Sequence, residues 1–167
     1  MTISMYAASI PVWKHMLRNL SAILHKAAEH ALSRKIDEQA LLRSRLFPDM
    51  LPFIKQVQIV TDQAKGGAAR LAGIEVPKYE DEESTFEQLQ ARVSKTMAFL
   101  DSIDPAQVDA SENRDIVLQF GSRKAEYKGQ DYLLNFVNPN FYFHMATAYG
   151  LLRHGGVELG KKDFVGS

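Results

Sequence analysis

The stretch NPNFYFHMATAYGLLRHGGVELGKKD, Asn138 to Asp163, decides how this chain is read. Most of it belongs to a helix expected from about Gln130 to His154, which puts polar groups on an aromatic inner face. Asn140, His144 and Thr147 or Ala148 recur at steps of three and four, so they leave one side of that helix together. Asn138-Pro139 falls inside the segment. Proline there removes one backbone hydrogen bond unless Asn138 caps a fresh helix with Pro139 in its first turn. Gly155-Gly156 supplies the stop. Arg153 and His154 in the last turn place favourable charge beside the free carbonyls of a helix C-terminus.

Upstream, the same helical spacing recurs three times. Tyr6, Ile10, Trp13, Leu17, Leu20 and Leu24 form one apolar stripe, with Pro11 marking a start or kink before Trp13. A polar connection from about Ser33 to Ser44 follows. Met50, Ile54, Val57, Thr61, Ala64, Ala68 and Leu71 form the second stripe, which begins near Pro48 to Pro52 and ends at Gly73. The acidic segment GIEVPKYEDEES is long enough to run the length of a bundle, which predicts a crossover link. Ser84 with Glu87 reads as a capping box for a third helix carrying Phe86, Leu89, Val93, Met97, Leu100 and Ile103, closed by Asp104-Pro105. From Ile116 to Tyr127 the period changes to two. A type II′ turn at Gly121-Ser122 would pair Ile116 with Tyr127, Leu118 with Ala125 and Phe120 with Arg123. Such a hairpin needs helices to lean on. The fold expected is all-α: four helices with a long crossover between helices 2 and 3 and a small hairpin at about 116–127, in one domain spanning 1–167.

The composition narrows the function classes. Lysine plus arginine equals aspartate plus glutamate at 20 each, so no overall field draws the chain to nucleic acid or to an anionic membrane. No apolar run reaches the roughly 18 residues of a spanning helix, and the N-terminus lacks a basic segment followed by a long apolar one, which reads as cytoplasmic. Without cysteine there is no disulfide, thiolate nucleophile or cysteine-rich zinc site. Any metal must be held by nitrogen and oxygen.

Three helices, a hairpin and a last helix with a histidine nine residues before the arginine of an LLR-x-x-G ending resemble the DinB/YfiT-like four-helix-bundle superfamily. Within it, PNFYFH…AYGLLRHGGVELGKKDF resembles a bacterial branch classed as a domain of unknown function. The resemblance covers essentially the whole chain. It implies a divalent metal held by three histidines, one from the second helix and two spaced four apart on the last. It also implies, for some members, a thiol-dependent transferase or isomerase activity. Counting back from Arg153, His144 matches the later histidine of the pair and Asn140 stands at the earlier one. Between His30 and His144 there is no histidine at all. Asp49 and Gln56 are the nearest polar residues on or before the second helix. An amide oxygen is a far weaker donor to zinc or nickel than imidazole, so the triad is not present as such.

The candidate metal ligands are therefore His144, Asn140 and Asp49, and the candidate pocket is Asn140, His144, His15 and Gln56. His144 is also the one candidate base. A lone histidine among Phe141, Tyr142, Phe143 and Tyr149 is most simply a packed ring with one hydrogen bond. His25 and His30 read as solvent-side residues. Gly160-Lys161-Lys162-Asp163 lacks the upstream glycine and following Ser or Thr of a phosphate loop, and does not read as leading into a helix. The aromatic density of the last helix exceeds what one inward stripe holds, which predicts a homodimer contact. The sequence thus favours a non-catalytic or small-ligand-binding dimeric protein that has lost the three-histidine site. The alternative is a metal-dependent small-molecule transferase or isomerase using His144.

Overall fold

The structure is a computed structural model, described here over residues 3–166. Its elements in chain order are α1 (Ile10–Ser33), α2 (Glu38–Leu42), α3 (Phe53–Ala72), α4 (Phe86–Asp101), α5 (Pro105–Asp109), β1 (Asp115–Phe120), β2 (Arg123–Lys128), a one-turn α6 (Gly129–Asp131), a π-helical segment (Tyr132–Val137), α7 (Asn138–His154) and α8 (Lys161–Val165). The four long helices are those the apolar stripes predict. In α1 the buried positions Ile10, Trp13, Leu17, Leu20 and Leu24 are the expected stripe, and Pro11 lies in the first turn, where its missing N–H costs nothing. Tyr6 lies ahead of the helix, its N–H donating to the Asp109 carboxylate at 2.7 Å.

Packing runs from α1 to α4, from α4 to α3 and from α3 to α7, whereas α1 and α7 touch little. The tail closes that side. Phe164 of α8 meets Tyr149 of α7 edge-on at 5.8 Å, while Asn19 and His15 of α1 donate to the Phe164 and Val165 carbonyls at 3.0 and 2.7 Å. Trp13, fully buried, lies against Phe141 at 6.5 Å, and its indole N–H donates to the Asn138 amide oxygen at 2.9 Å. Gly67 of α3 leaves room for Trp13 and Val137: a Cβ there would lie 2.9 Å from both. Contrary to the sequence expectation, Gly160 does open a short helix, α8, and its N–H donates to the Asp163 carboxylate at 2.8 Å.

Residues 73–85 form the long link between α3 and α4, as the acidic crossover predicts. The cap of α4 falls one residue later than expected. Thr85, extended at φ −135° and ψ 161°, accepts from the Gln88 N–H, and Gln88 in turn accepts from the Ser84 N–H at 2.6 Å. Asp104 does not close α4, which ends at Asp101; its carboxylate caps α5, with Pro105 in first position. The hairpin has the expected register, Ile116 to Tyr127, Leu118 to Ala125 and Phe120 to Arg123. Gly121 at φ 58°, with Ser122 not positive, fits the type II′ turn. Ile116 and Leu118 are buried, and Tyr127 and Phe120 meet Phe136 at 5.6 and 6.0 Å, so the hairpin rests on the start of the last helical segment.

Pro139 is accommodated differently from expectation. Asn138 caps nothing, because Val137 before it is already helical and the Asn138 side chain is taken by Trp13. The turn ahead of the proline widens to π geometry, with the Asn138 N–H reaching the Leu133 carbonyl five residues back. The helix continues past the proline by changing its ladder instead of restarting.

A histidine–glutamine pair and a buried arginine

His144 leaves α7 toward the first turn of α3, where its Nδ1 lies 2.7 Å from Gln56 Oε1. Gln56 is buried, and its amide nitrogen donates to the Leu51 carbonyl at 3.0 Å. A carbonyl only accepts, so that bond turns the amide nitrogen to Leu51 and the amide oxygen to His144. Nδ1 is then the protonated, donating nitrogen, and in the neutral ring Nε2 carries the lone pair. Burial pushes the imidazole below its ordinary pKa, which keeps it neutral at pH 7. Phe143 stands edge-on to the ring at 5.1 Å.

The other candidates make no hydrogen bond to this pair. Asn140, one turn earlier on α7, donates its amide N–H to the Phe136 carbonyl of its own helix at 2.7 Å. Thr147 does the same to Phe143 at 2.7 Å. Asp49 is exposed in the connection ahead of α3. His15, expected to share the interior, instead clamps the tail through Val165. The structure brings together His144 and Gln56, turns His15 to the tail and leaves Asp49 exposed ahead of α3.

These residues do not fit the metal implied by the resemblance. Such a site needs three converging donors, and here His144 Nε2 is the one imidazole nitrogen on offer, Gln56 Oε1 receives a proton donor, and Asn140 offers at most a neutral amide oxygen, a weak donor to zinc or nickel. No group of three or more His, Cys, Asp or Glu placed to hold a metal ion occurs among the described residues.

A denser polar cluster lies between α3, α4 and the crossover. Arg92 of α4 has a side chain 2 % exposed, and donates to Thr61 Oγ1 at 2.7 Å, Asp62 at 2.9 Å, Glu83 at 3.0 Å and the Glu80 carbonyl at 3.1 Å. Asp81 lies 3.2 Å away. Lys65, also buried, pairs with Asp62 at 2.9 Å and lies 3.9 Å from the centre of the Tyr79 ring, with Lys95 at 4.2 Å. Burial opposes the charge on Arg92, but the Glu83 hydrogen bond and the charges of Asp62, Glu83 and Asp81 outweigh it and hold the guanidinium charged. The cluster ties the crossover to the bundle and borders a surface groove of about 420 Å³ lined in part by Tyr79, Glu83, Arg92 and Lys95. The sequence carried a signal for it. Arg92 is three residues after Leu89 and four before Thr96, on the inward stripe of α4, and the nearby link is acidic.

Fold and site together define a helical-bundle protein of DinB type without the three-histidine constellation. A crystal structure of a DinB family member protein from Shewanella denitrificans superposes with a TM-score of 0.88 at 37% identity, covering 97% of this chain and 92% of that one. The profile of the domain-of-unknown-function family DUF1993 matches residues 5–165, and the chain belongs to that family. No curated protein matches it. No helix among the described residues is long and apolar enough to cross a membrane.

Proposed function

We propose that this protein is a non-catalytic, small-ligand-binding member of its bundle family that has given up the three-histidine metal site and works as a homodimer in the cytoplasm. One observation carries the reading: the second-helix residue that reaches His144 is Gln56, an amide and not an imidazole, and Gln56 is locked between the Leu51 carbonyl and His144. A glutamine fixed in this way satisfies the histidine and organises no metal. The half-buried His144 ring then keeps Nε2 able to accept one hydrogen bond from a ligand. Support for self-association comes from Phe143, 57 % exposed, and Tyr142, 36 % exposed, beside His144 in the sequence of α7. The hairpin and tail take up part of the aromatic excess, through Phe136 and Tyr149.

The second reading, a metal-dependent transferase or isomerase acting on a small molecule, draws support from the neutral, desolvated ring with its tautomer set, since that ring is a competent base or ligand. Elemental analysis of tag-free protein, prepared without chelators and incubated with zinc, nickel or manganese, separates the two. We expect less than a tenth of an equivalent of metal. Near-stoichiometric metal that disappears in His144→Asn would overturn the proposal. Sedimentation at micromolar concentration tests the dimer, and a monomer mass that persists up to 100 μM would remove that part.

A further inference from the structure

From Tyr132 to Leu152 the chain holds no Asp, Glu, Lys or Arg, although 24% of its residues are charged. A helix buried on all sides has no use for charge, but α7 is not buried on all sides. Pro139, Tyr142, Phe143 and Ala146 are exposed, and with the half-buried Gly150 they follow one another at steps of three and four along one face. The exposed positions of α1 include Arg18, Lys26 and Glu29, and those of α4 include Glu87, Lys95 and Asp101. A charge-free outer face therefore sets α7 apart from both. Exposed aromatic rings in surroundings depleted of charge are the composition of an interface centre.

The two ends of this face select the partner. The helical run is continuous from Gly129 to His154, and the first charges beyond the uncharged stretch are Asp131 before it and Arg153 after it. Both are exposed, and neither forms an ion pair among the described residues. They stand eleven residues to either side of Tyr142, roughly 16 Å along the helix axis. A two-fold axis between Tyr142 and Phe143 lays α7 antiparallel on its own copy and brings Asp131 of each protomer opposite Arg153 of the other. The same operation sets Tyr142 against Phe143, Pro139 against Ala146 and Asn135 against Gly150, so no charge is trapped between the helices. A parallel pairing would instead set Asp131 on Asp131 and Arg153 on Arg153. The bulk is suited to close approach, since Ala146 is small and a Cβ on Gly150 would meet nothing within 4 Å, which leaves room for a second helix at a shallow crossing angle.

We propose that the protein self-associates through this face, with α7 packed antiparallel on α7 of a second copy about a two-fold axis at Tyr142 and Phe143. The inference rests on the homodimer proposed above and assigns that dimer a surface and a register. The aromatic pair forms the centre of the contact, and the reciprocal Asp131 and Arg153 pairs close its two ends.

The test is sedimentation equilibrium of the whole protein and its variants. Wild type is expected to dimerise in the micromolar range. Ala146→Glu puts a carboxylate in the uncharged centre and should weaken the dimer at least tenfold with an unchanged circular-dichroism spectrum. Asp131→Arg and Arg153→Asp should each weaken it about threefold by setting like charges together, and the two combined should return it to within about twofold of wild type. Arg18→Asp, a charge reversal on the outer face of α1, should leave the dimer alone. A wild type that stays monomeric up to 100 μM would remove the dimer and this face with it. A dimer indifferent to Ala146→Glu would stand while this face is overturned, and reversal losses that the combined variant fails to recover would overturn the antiparallel register.

Discussion

Replacing Arg92 by methionine tests whether the crossover is tied down by charge. The substitution keeps a long flexible side chain in the space but removes donors to Thr61, Asp62, Glu83 and Glu80. The acids differ in how well water can compensate them. Asp62 and Asp81 are 39 % and 42 % exposed and rehydrate readily, whereas Glu83 is 13 % exposed and keeps Gln58 as its other hydrogen-bond partner. Most of the loss therefore falls on Glu83, Thr61 and the Glu80 carbonyl. Removing one member of a buried ionic group costs about 3–5 kcal/mol, and the partial exposure here puts the expectation at the low end, about 3 kcal/mol. For a chain of 167 residues that is a fall in Tm of roughly 6–12 °C. Adding Glu83→Gln to Arg92→Met removes the stranded carboxylate, so the double variant should recover roughly 1–2 kcal/mol. The assay is a set of urea melts of wild type, both single variants and the double, read as a cycle. A loss below about 1 kcal/mol for Arg92→Met, or a double variant no more stable than Arg92→Met alone, would refute the argument that the arginine works by compensating Glu83.

Two further perturbations bear on the bundle itself. The His144 pKa is lower folded than unfolded, so the unfolded chain binds the extra proton first as pH falls; the stability tied to the neutral ring is complete above about pH 6.5 and is lost as pH falls through the folded value. His144→Gln should flatten that acid-side decline in thermal melts between pH 8 and pH 5, and an unchanged slope would mean that other groups carry it. Gly67→Ala places a methyl 2.9 Å from Trp13 and Val137, which should cost about 1–3 kcal/mol through overpacking. It should lower the urea midpoint with an unchanged m-value, and a midpoint equal to wild type would show that the Trp13 ring yields freely.

The architecture was legible because a bundle writes its buried face into the sequence at helical period, and because a period-two stretch broken by Gly121-Ser122 admits few registers. Trp13, Val57, Val93 and Phe141 are buried because their spacing leaves them nowhere else to go. The partners of polar atoms were much less legible. His15 and His144 both stand near aromatic and aliphatic neighbours on long helices, yet one holds the tail and the other holds Gln56. That difference is set by where α8 and α3 arrive, more than a hundred and nearly ninety residues away. Arg92 is hard to read from sequence because a charged residue in an apolar stripe is easily assigned to the solvent side; the acidic crossover that passes over it is the clue.

Asn138-Pro139 shows how the two levels interact. Locally, asparagine before proline is a good start for a helix, and on that ground a fresh cap is the simplest reading. Trp13, however, is sealed in the core with an indole N–H that needs an acceptor, and the Asn138 amide oxygen fills that need at 2.9 Å. Once the side chain is committed across the bundle it does not cap, and the backbone must pass the proline without a break. The π turn over Tyr132–Val137 is the solution, and it keeps the helical segment on course from the hairpin to α7. The direction of α7, and with it the meeting of His144 with Gln56, thus depends on a hydrogen bond made by the residue before the proline to a tryptophan 125 positions earlier.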